Sequence, residues 1–437
     1  MRKYLFISLI LLPGLGSTQT LTLEAAIAAA LQNNYSIRLS KNDSLLQDMQ
    51  LGYANAAFMP RLNAGFGQTF SNNDQQQKFS NGAIRERDNI RADNINANLA
   101  LNWTLFDGMK MFISRTRLEN NYELSLLQLH RQISLTISSV IKTYYGIIRE
   151  KQALKATREQ MALNEERVKL AEGKLQSGLG AKPELLQAKL DLNAQQSSGK
   201  IQQAAIDKLK EDLNQLMAAE AGQAFEVTDS IPLKEDLDIN NILEEASSSN
   251  PDILISGKQI RIAELGLKEI KADQLPIIAF NGNYNFLRNN NRAVVNDFTP
   301  LFNKNSGFNF GFTAAIPLFN QFANKREIKS SMIEIDRQKL SKDLQSYQNR
   351  IAIRKAFREY LVQRELLKLE EENISLAREN VYIAAERFRM GITNSLELRE
   401  AQKSLEEAYN RLIAARYAAK LAETDLLQIQ GSLIKKQ

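Results

Sequence analysis

The sequence predicts a mostly helical protein with a small β part, in which four strands cross a membrane and long helices form coiled coils. Three observations predict this fold class. Short segments alternate apolar and polar side chains with a period of two. Two much longer segments, 109–174 and 322–388, contain no proline and few glycines. Many local features also occur twice along the chain, as Pro60 and Pro276 do, which indicates an internal structural repeat.

The chain begins with a segment typical of export. Met1, Arg2 and Lys3 precede an apolar run at 4–12, and small residues follow it at 14–18. A basic start, a short apolar core and small residues define a secretory signal peptide, which we assign to residues 1–18. The apolar run is shorter than the roughly 20 residues that span a bilayer as a helix. Any membrane-crossing segments are therefore expected to be strands.

Composition argues against several classes of chemistry. The 437 residues include no cysteine and one histidine, His130, so disulfides, thiolate chemistry and ordinary transition-metal sites are not expected. The formal charge is +6, with basic and acidic residues interleaved, which does not indicate nucleic-acid binding. A barrel enzyme would need a histidine-centred site on a strand or loop, whereas His130 falls in a predicted helix. We expect no catalysis and no cofactor.

Four strands are predicted at 61–71, 95–106, 277–287 and 306–317, because apolar and polar residues alternate there. Each has about the ten residues that a tilted strand needs to cross a membrane. One face is rich in phenylalanine and suits lipid, and the other is rich in asparagine and glycine and suits a wet lumen. Polar loops are expected between the strands of each pair. The lumen-facing candidates are Asn96, Asn98, Asn102, Asn281, Asn283, Asn285 and Asn309.

The number of strands has a consequence for assembly. About eight strands are the practical minimum for a closed barrel, and an open sheet edge is not tolerated in lipid. Four membrane strands must therefore share a barrel with at least one more chain. A soluble sheet packed on helices is the alternative interpretation of the same alternation.

Helices account for most of the remaining chain. The expected organisation is a first repeat at 19–219, a linker at 220–238 and a second repeat at 239–437. The last helix carries apolar residues spaced alternately by four and three, from Ala401 to Ile429, which predicts a coiled coil. The predicted helices are 21–58, 109–174 and 183–219 in the first repeat, and 251–273, 322–388 and 395–430 in the second.

The order of these features resembles the TolC-like outer membrane efflux protein family over essentially the whole mature chain. Prolines 60 and 276 stand at the helix-to-strand junctions, and the strand-to-helix junctions read Leu-Phe-Asp-Gly at 105–108 and Pro-Leu-Phe-Asn at 317–320. The resemblance implies a homotrimer with twelve strands in the outer membrane and twelve helices in a periplasmic tunnel. It also implies a passive duct whose partners are a periplasmic adaptor protein and an inner-membrane pump.

The resemblance assigns roles to the turns that connect the helices. The turns at Gly178 and Gly391 would form a periplasmic tip that contacts the adaptor, although glycine at such a turn also serves as a helix cap. Acidic residues near the start of the last helix would ring the constriction of the tip, although acidic side chains in a first helical turn are ordinary complements of the helix dipole. The candidate constriction residues are Glu397, Glu400, Glu184 and Gln187.

Two functions remain in competition at this point. The first is an outer-membrane channel of a tripartite efflux or type I secretion system. The second is a periplasmic coiled-coil scaffold without transport activity, which would not account for the alternation of phenylalanine and asparagine. The transported substrate and the class of pump are left open.

Overall fold

A computed structural model describes residues 20–178, 180–233, 237–390, 392–393 and 395–433. The predicted signal peptide and Gly391 lie outside the described residues. Most of the described chain is helical, and none of the described helices is long and apolar enough to cross a membrane. The helices are α1 (Leu23–Asn33), α2 (Tyr35–Gly52), α3 (Lys110–Gln176), α4 (Lys182–Met217), α5 (Ile239–Ser249), α6 (Pro251–Ala272), α7 (Ala323–Arg389) and α8 (Ser395–Gln430).

Six strands complete the architecture of the described residues. Two are very short, β1 (Thr20–Leu21) and β4 (Glu226–Val227), and pair in parallel. The other four form one antiparallel sheet in the order β2-β3-β5-β6. Their bounds are Arg61–Lys78 for β2, Ile84–Asp107 for β3, Ile277–Asn291 for β5 and Phe302–Ala315 for β6.

The contacts of the chain define two compact units, and neither unit is one of the sequence repeats. One unit combines the chain up to Asp43, Leu127–Ile255 and the chain from Asp343 onward. The other combines Ser44–Leu126 with Ser256–Lys342 and contains the four-stranded sheet. Each unit therefore draws on both halves of the sequence, so the repeats are not separate domains.

The four strands lie where they were expected, and β2 and β5 begin at the predicted residues, but the other predicted ends differ from the structure. The first hairpin continues far into 72–94, which was expected to be a loop, and pairs as far as Lys78 with Ile84. Polar side chains occupy both faces of this extension, so the period-two signal disappears although the backbone ladder continues. The strand predicted to reach 317 ends at Ala315, because Pro317 has no N–H to donate to a ladder.

The helix predicted at 21–58 is divided by Asn34 into α1 and α2, and a 3-10 turn follows at Ala54–Phe58. The Asn34 side-chain oxygen accepts hydrogen bonds from the backbone N–H groups of Ser36 (2.9 Å) and Ile37 (3.2 Å). Its amide donates to the carbonyl of Leu216 at 2.8 Å, in the last turn of α4. One buried side chain thus caps the start of α2 and the end of α4.

The second half repeats this arrangement at Asn250, between α5 and α6. Its oxygen accepts from the N–H groups of Asp252 (2.8 Å) and Ile253 (3.3 Å), and its amide donates to the Ile429 carbonyl at 2.8 Å, near the end of α8. Helix α5 was not predicted. The matched asparagines give the sequence repeat a physical basis at this point.

The coiled coil predicted for the last helix is present between α7 and α8. From Ala401 to Leu426, most of the predicted seam is buried, with Ala419 fully enclosed. The packing layers place a large side chain of α7 every seven residues against the alanine and leucine seam of α8, as heptad packing requires. These α7 residues are Ile353, Tyr360, Leu367, Ile374, Val381 and Phe388.

The largest core surrounds Tyr144 of α3, which is buried among apolar residues of α1, α4 and the segment after it. The Tyr144 hydroxyl donates to the Leu21 carbonyl at 2.8 Å and lies 3.2 Å from the Thr228 hydroxyl. This contact holds the short β1–β4 ladder against the helices. Two-residue strands are too short to show a period, which is why the sequence did not reveal them.

Candidate functional site

All seven candidate lumen asparagines lie on one face of the four-stranded sheet. Directly opposed residues share a face, and the register pairs Asn98 with Asn285, Asn102 with Asn281, and Asn283 with Asn309. Asn96 lies on the same face because it is two residues before Asn98. The face also includes asparagines that were assigned to loops in the sequence analysis, namely Asn94, Asn289 and Asn303.

Glycines of β2 provide the space that this polar face needs. Gly67 lies opposite Asn96, and a Cβ atom at Gly67 would approach the Asn96 side-chain oxygen to 2.6 Å. Gly65 has the same relation to Asn98. Further along the sheet, the Asn281 amide donates to the Thr313 hydroxyl at 2.9 Å. The asparagine face is therefore a wall of neutral amides and hydroxyls, and the contacts described here involve no charged side chain.

The opposite face of the sheet is apolar and uncovered. Phe66, Phe308, Phe310 and Phe312 are 69% to 76% exposed. Such contiguous apolar surface is unusual for a protein face in water and marks contact with a membrane or another protein. Trp103 lies at the helix-proximal end of this face, and its indole N–H donates to the Phe58 carbonyl at 2.8 Å.

The first predicted tip turn joins α3 to α4. Gly178 has a φ of +76°, a left-handed conformation that favours glycine. The Gly180 N–H donates to the Lys174 carbonyl at 2.9 Å, and a Cβ atom at Gly180 would lie 2.9 Å from the Leu175 nitrogen. This turn therefore ends α3 in a compact glycine cap. The second predicted turn residue, Gly391, lies outside the described residues.

The two acidic candidates of α8 have different surroundings. The Glu397 carboxylate accepts a hydrogen bond from Arg387 Nη1 at 2.5 Å and another from the Thr393 hydroxyl. These contacts link the start of α8 to the end of α7, so the charge of Glu397 is compensated locally. Glu400 is exposed. The two glutamates are therefore not equivalent contributors to a ring of negative charge.

A charged cluster that the sequence analysis did not identify lies beside the first-repeat candidates. Asp191 of α4 accepts from Arg167 of α3 and from Arg399 of α8, the Arg399 Nε lying 3.2 Å from its carboxylate. The Gln187 amide donates to the same carboxylate at 2.8 Å. Glu184, Gln187 and Arg399 line one pocket of about 170 Å³. The cluster thus brings the first-repeat candidates to the start of α8.

The cluster joins the two halves of the sequence, since 208 positions separate Asp191 from Arg399. No local motif could have associated Asp191 with Arg399, although Gln187 and Asp191 are four residues apart on α4. The charges of the cluster are paired with one another, and Arg167 is nearly buried. Within the part of the chain that the structure describes, no group of three or more His, Asp or Glu side chains is arranged to hold a metal ion.

Comparison with known proteins gives a consistent result along both halves. The model of the outer membrane efflux protein family matches residues 26–219 and 242–432. Over 421 residues the chain is 20% identical to the alkaline protease secretion protein AprF of Pseudomonas aeruginosa, covering 92% of this chain and 84% of the relative. Over 424 residues it is 20% identical to the outer membrane efflux protein BepC of Brucella suis, covering 95% and 86%.

Solved structures share the fold. The CmeC outer membrane channel of Campylobacter jejuni superposes with a TM-score of 0.77 at 15% identity, covering 94% of this chain and 85% of that one. The outer membrane protein VceC of Vibrio cholerae gives a TM-score of 0.75 at 15% identity, covering 94% and 96%. The chain therefore shares its overall fold with these proteins over 94% of its length.

Proposed function

This chain belongs to the outer membrane efflux protein family, and we propose that three copies of it form one continuous duct from the periplasm to the cell exterior. It is an outer-membrane channel protein whose helices extend into the periplasm. In the proposed assembly a periplasmic adaptor and an inner-membrane pump deliver the substrate. The observation that carries the proposal is the sheet with one asparagine face, one exposed phenylalanine face and two free edges.

The free edges require neighbouring copies. Strands β2 and β6 are the outer strands of the sheet, and four strands cannot close on themselves. Pairing the β6 edge of one copy with the β2 edge of the next is a head-to-tail contact, which closes into a ring when the rotation is right. Three copies supply twelve strands, the number that the family resemblance implies.

The helices carry a surface that suits the same contact. On α7, the exposed apolar residues Ile333, Leu340, Leu344 and Tyr347 are spaced by seven, four and three. Helix α2 exposes Leu39, Leu46 and Met49 at related spacing. Apolar residues at this period form coiled-coil seams. We infer that these seams pack against helices of neighbouring copies.

Inside the proposed ring, the asparagine face lines the lumen and the phenylalanine face meets outer-membrane lipid. Neutral amides can hydrogen-bond to water and to many solutes without selecting a charge. The wall therefore suits a passive duct, with the pump choosing the substrate. A periplasmic scaffold is the weaker alternative, because it leaves the exposed phenylalanines in water, where apolar surface is unfavourable.

We further propose that the tip contacts the adaptor through the turns at Gly178 and Gly391. The constriction would be lined by Glu184, Gln187, Glu397 and Glu400. Because Arg387 compensates Glu397, Glu400 contributes more net negative charge than Glu397 does in this proposal. Three copies would place three such carboxylates in a narrow opening and favour cations.

The absence of cysteine from the sequence makes ring closure directly testable. Cysteine is introduced at Ala64 in β2 and, in turn, at Ser306, Phe308 or Phe310 in β6 of the same chain. Oxidation in outer membranes should produce linked species that end at three chains for the register that matches. Each single-cysteine variant is the control and should give no species above a dimer.

Two outcomes would contradict the ring. If no β2–β6 combination forms links between chains, the edges do not pair as proposed. If the linked species continue beyond three chains, the contact does not close. Native mass spectrometry of the detergent-extracted protein should independently give the mass of three chains.

A further inference from the structure

Two cations lie side by side on the apolar face of the sheet, at the end of the band of exposed phenylalanines. The register pairs Arg288 of β5 directly with Lys304 of β6, and Arg288 also with Ile95 of β3. Arg288 is two residues beyond Phe286, so it shares the face of that ring. Both cationic side chains are exposed.

This pair is electrostatically unfavourable by itself, because like charges directly opposite one another destabilise a sheet. Among the described residues, no carboxylate forms an ion pair with Arg288 or Lys304. The Lys304 ammonium lies 5.7 Å from the centre of the Phe286 ring. The nearest acidic position on this face is Asp93, one row further out, and its carboxylate accepts from the Gln68 amide at 3.1 Å.

More positive charge follows in the same direction. Arg91 lies on this face of β3, two residues before Asp93, and is exposed. Three cations therefore surround one carboxylate along the outer margin of the apolar band. This margin therefore carries net positive charge, which favours an anion from outside the chain.

The depth of the pair in the membrane indicates which anion is available. Strand β5 begins at Ile277 after α6, so Arg288 lies at the end of the strand away from the periplasmic helices. The strand from Ile277 to Arg288 spans about 36 Å at ~3.3 Å per residue. At a tilt of about 40°, this corresponds to about 28 Å of depth, which is the thickness of the hydrocarbon core. The cations thus reach the level of the outer-leaflet headgroups.

We propose that Arg288 and Lys304 bind a phosphate group of an outer-leaflet membrane lipid. The guanidinium offers paired N–H donors to two phosphate oxygens, and the ammonium supplies a second positive charge beside it. The phosphate removes the repulsion between the two cations, while Phe286 and Phe308 contact the acyl chains. The proposal rests on the membrane insertion of the strands argued above.

The test uses the detergent-extracted oligomer and lipid A as the probe, with native mass spectrometry to count bound lipid. The variant combines Arg288→Gln and Lys304→Gln. We expect its affinity for lipid A to fall at least about tenfold, since charge-assisted hydrogen bonds to phosphate are lost. Enzymatically dephosphorylated lipid A should bind the unaltered protein with similarly reduced affinity.

Matched variants separate this role from a general effect of charge. The combination of Arg354→Gln and Arg358→Gln removes two exposed cations from α7 and should leave lipid A binding unchanged. The exchange of Arg288→Lys with Lys304→Arg keeps both charges and should retain most of the binding. Inorganic phosphate at millimolar concentration should not displace the lipid, because it lacks the acyl contacts.

Several results would overturn the proposal. These are undiminished binding by the doubly neutral variant, equal binding of dephosphorylated lipid A, and displacement by inorganic phosphate. The mass of the oligomer is read in the same spectra. Loss of lipid binding with an intact oligomer supports the phosphate site, whereas failure of the unaltered protein to form any oligomer would refute the membrane ring itself.

Discussion

Replacement of Asn34 or Asn250 by alanine should loosen two helix ends at once. Each side chain is buried, with 7% and 6% exposure, and each both caps the following helix and bonds a carbonyl in the last turn of another. Loss of an N-cap costs about 1 kcal/mol. A partly buried carbonyl left without its donor costs about 1–3 kcal/mol more. We expect about 2–4 kcal/mol of lost local stability at each site.

Hydrogen exchange, followed by mass spectrometry on the extracted oligomer, measures this loss of local stability directly. The amides of Ser36 and Ile37 donate to the Asn34 oxygen, so Asn34→Ala should accelerate their exchange about 30- to 700-fold. Asn34→Asp keeps the accepting oxygen and removes the amide donor. It should therefore preserve protection at these two amides while still lowering the overall resistance to denaturant.

The comparison between the two variants decides whether the reasoning holds. Unchanged exchange of Ser36 and Ile37 in Asn34→Ala would mean that the cap contributes nothing. Equal loss of protection in Asn34→Asp would mean that the accepting oxygen is not what protects these amides. Asn250 provides the same test in the second half, on the amides of Asp252 and Ile253.

Three further changes test other parts of the structure. Gly108→Ala should lower the free energy of unfolding by about 1–3 kcal/mol, because the φ of Gly108 is +72° and the new Cβ would lie 2.5 Å from a carbonyl oxygen of α6. The control is Gly82→Ala, which should cost less because the φ of Gly82 is +85° but the space around it is open. In planar bilayers, Glu400→Gln should reduce cation preference more than Glu397→Gln, and equal effects would contradict the compensation by arginine. Hydrogen bonds from two lysines lower the pKa of Glu226 below its usual value of 4.5. The ionised Glu226 therefore stabilises the fold above pH 4.5, and this contribution is lost as the pH falls through the lowered pKa. Glu226→Gln should flatten this acid dependence in denaturant titrations.

Sequence patterns predicted the strands inside the apolar band well and the strands outside it poorly. In the proposed barrel, lipid on one side and water on the other impose alternation between Ile95 and Trp103, which can be read from the sequence. Beyond Phe70, both faces meet water, and the ladder continues through polar pairs such as Gln76 with Glu86, at 3.3 Å. A strand without a burial contrast has no period to detect.

The candidate tip was predictable only in part, for a different reason. Glycine at 178 follows from the need for a left-handed residue after α3, which is local information. The partners of Glu397 and Asp191 depend on which helices lie side by side: Arg387 is 10 positions from Glu397, across one turn, whereas Arg399 is 208 positions from Asp191. Local sequence can identify an acidic residue, but the arginine that compensates it belongs to the tertiary structure.

The two halves of the chain differ most at the outer ends of their hairpins. In the apolar band the hairpins are alike, since both alternate asparagine or glycine with apolar residues. Outside the band, β2 and β3 continue to Lys78 and Ile84, whereas β5 and β6 end at Asn291 and Phe302. In lipid, every backbone N–H and C=O group must be hydrogen-bonded within the protein, whereas in water such groups can bond to solvent. In the proposed barrel, the outer ends of the hairpins lie in water, so the two halves are expected to diverge there.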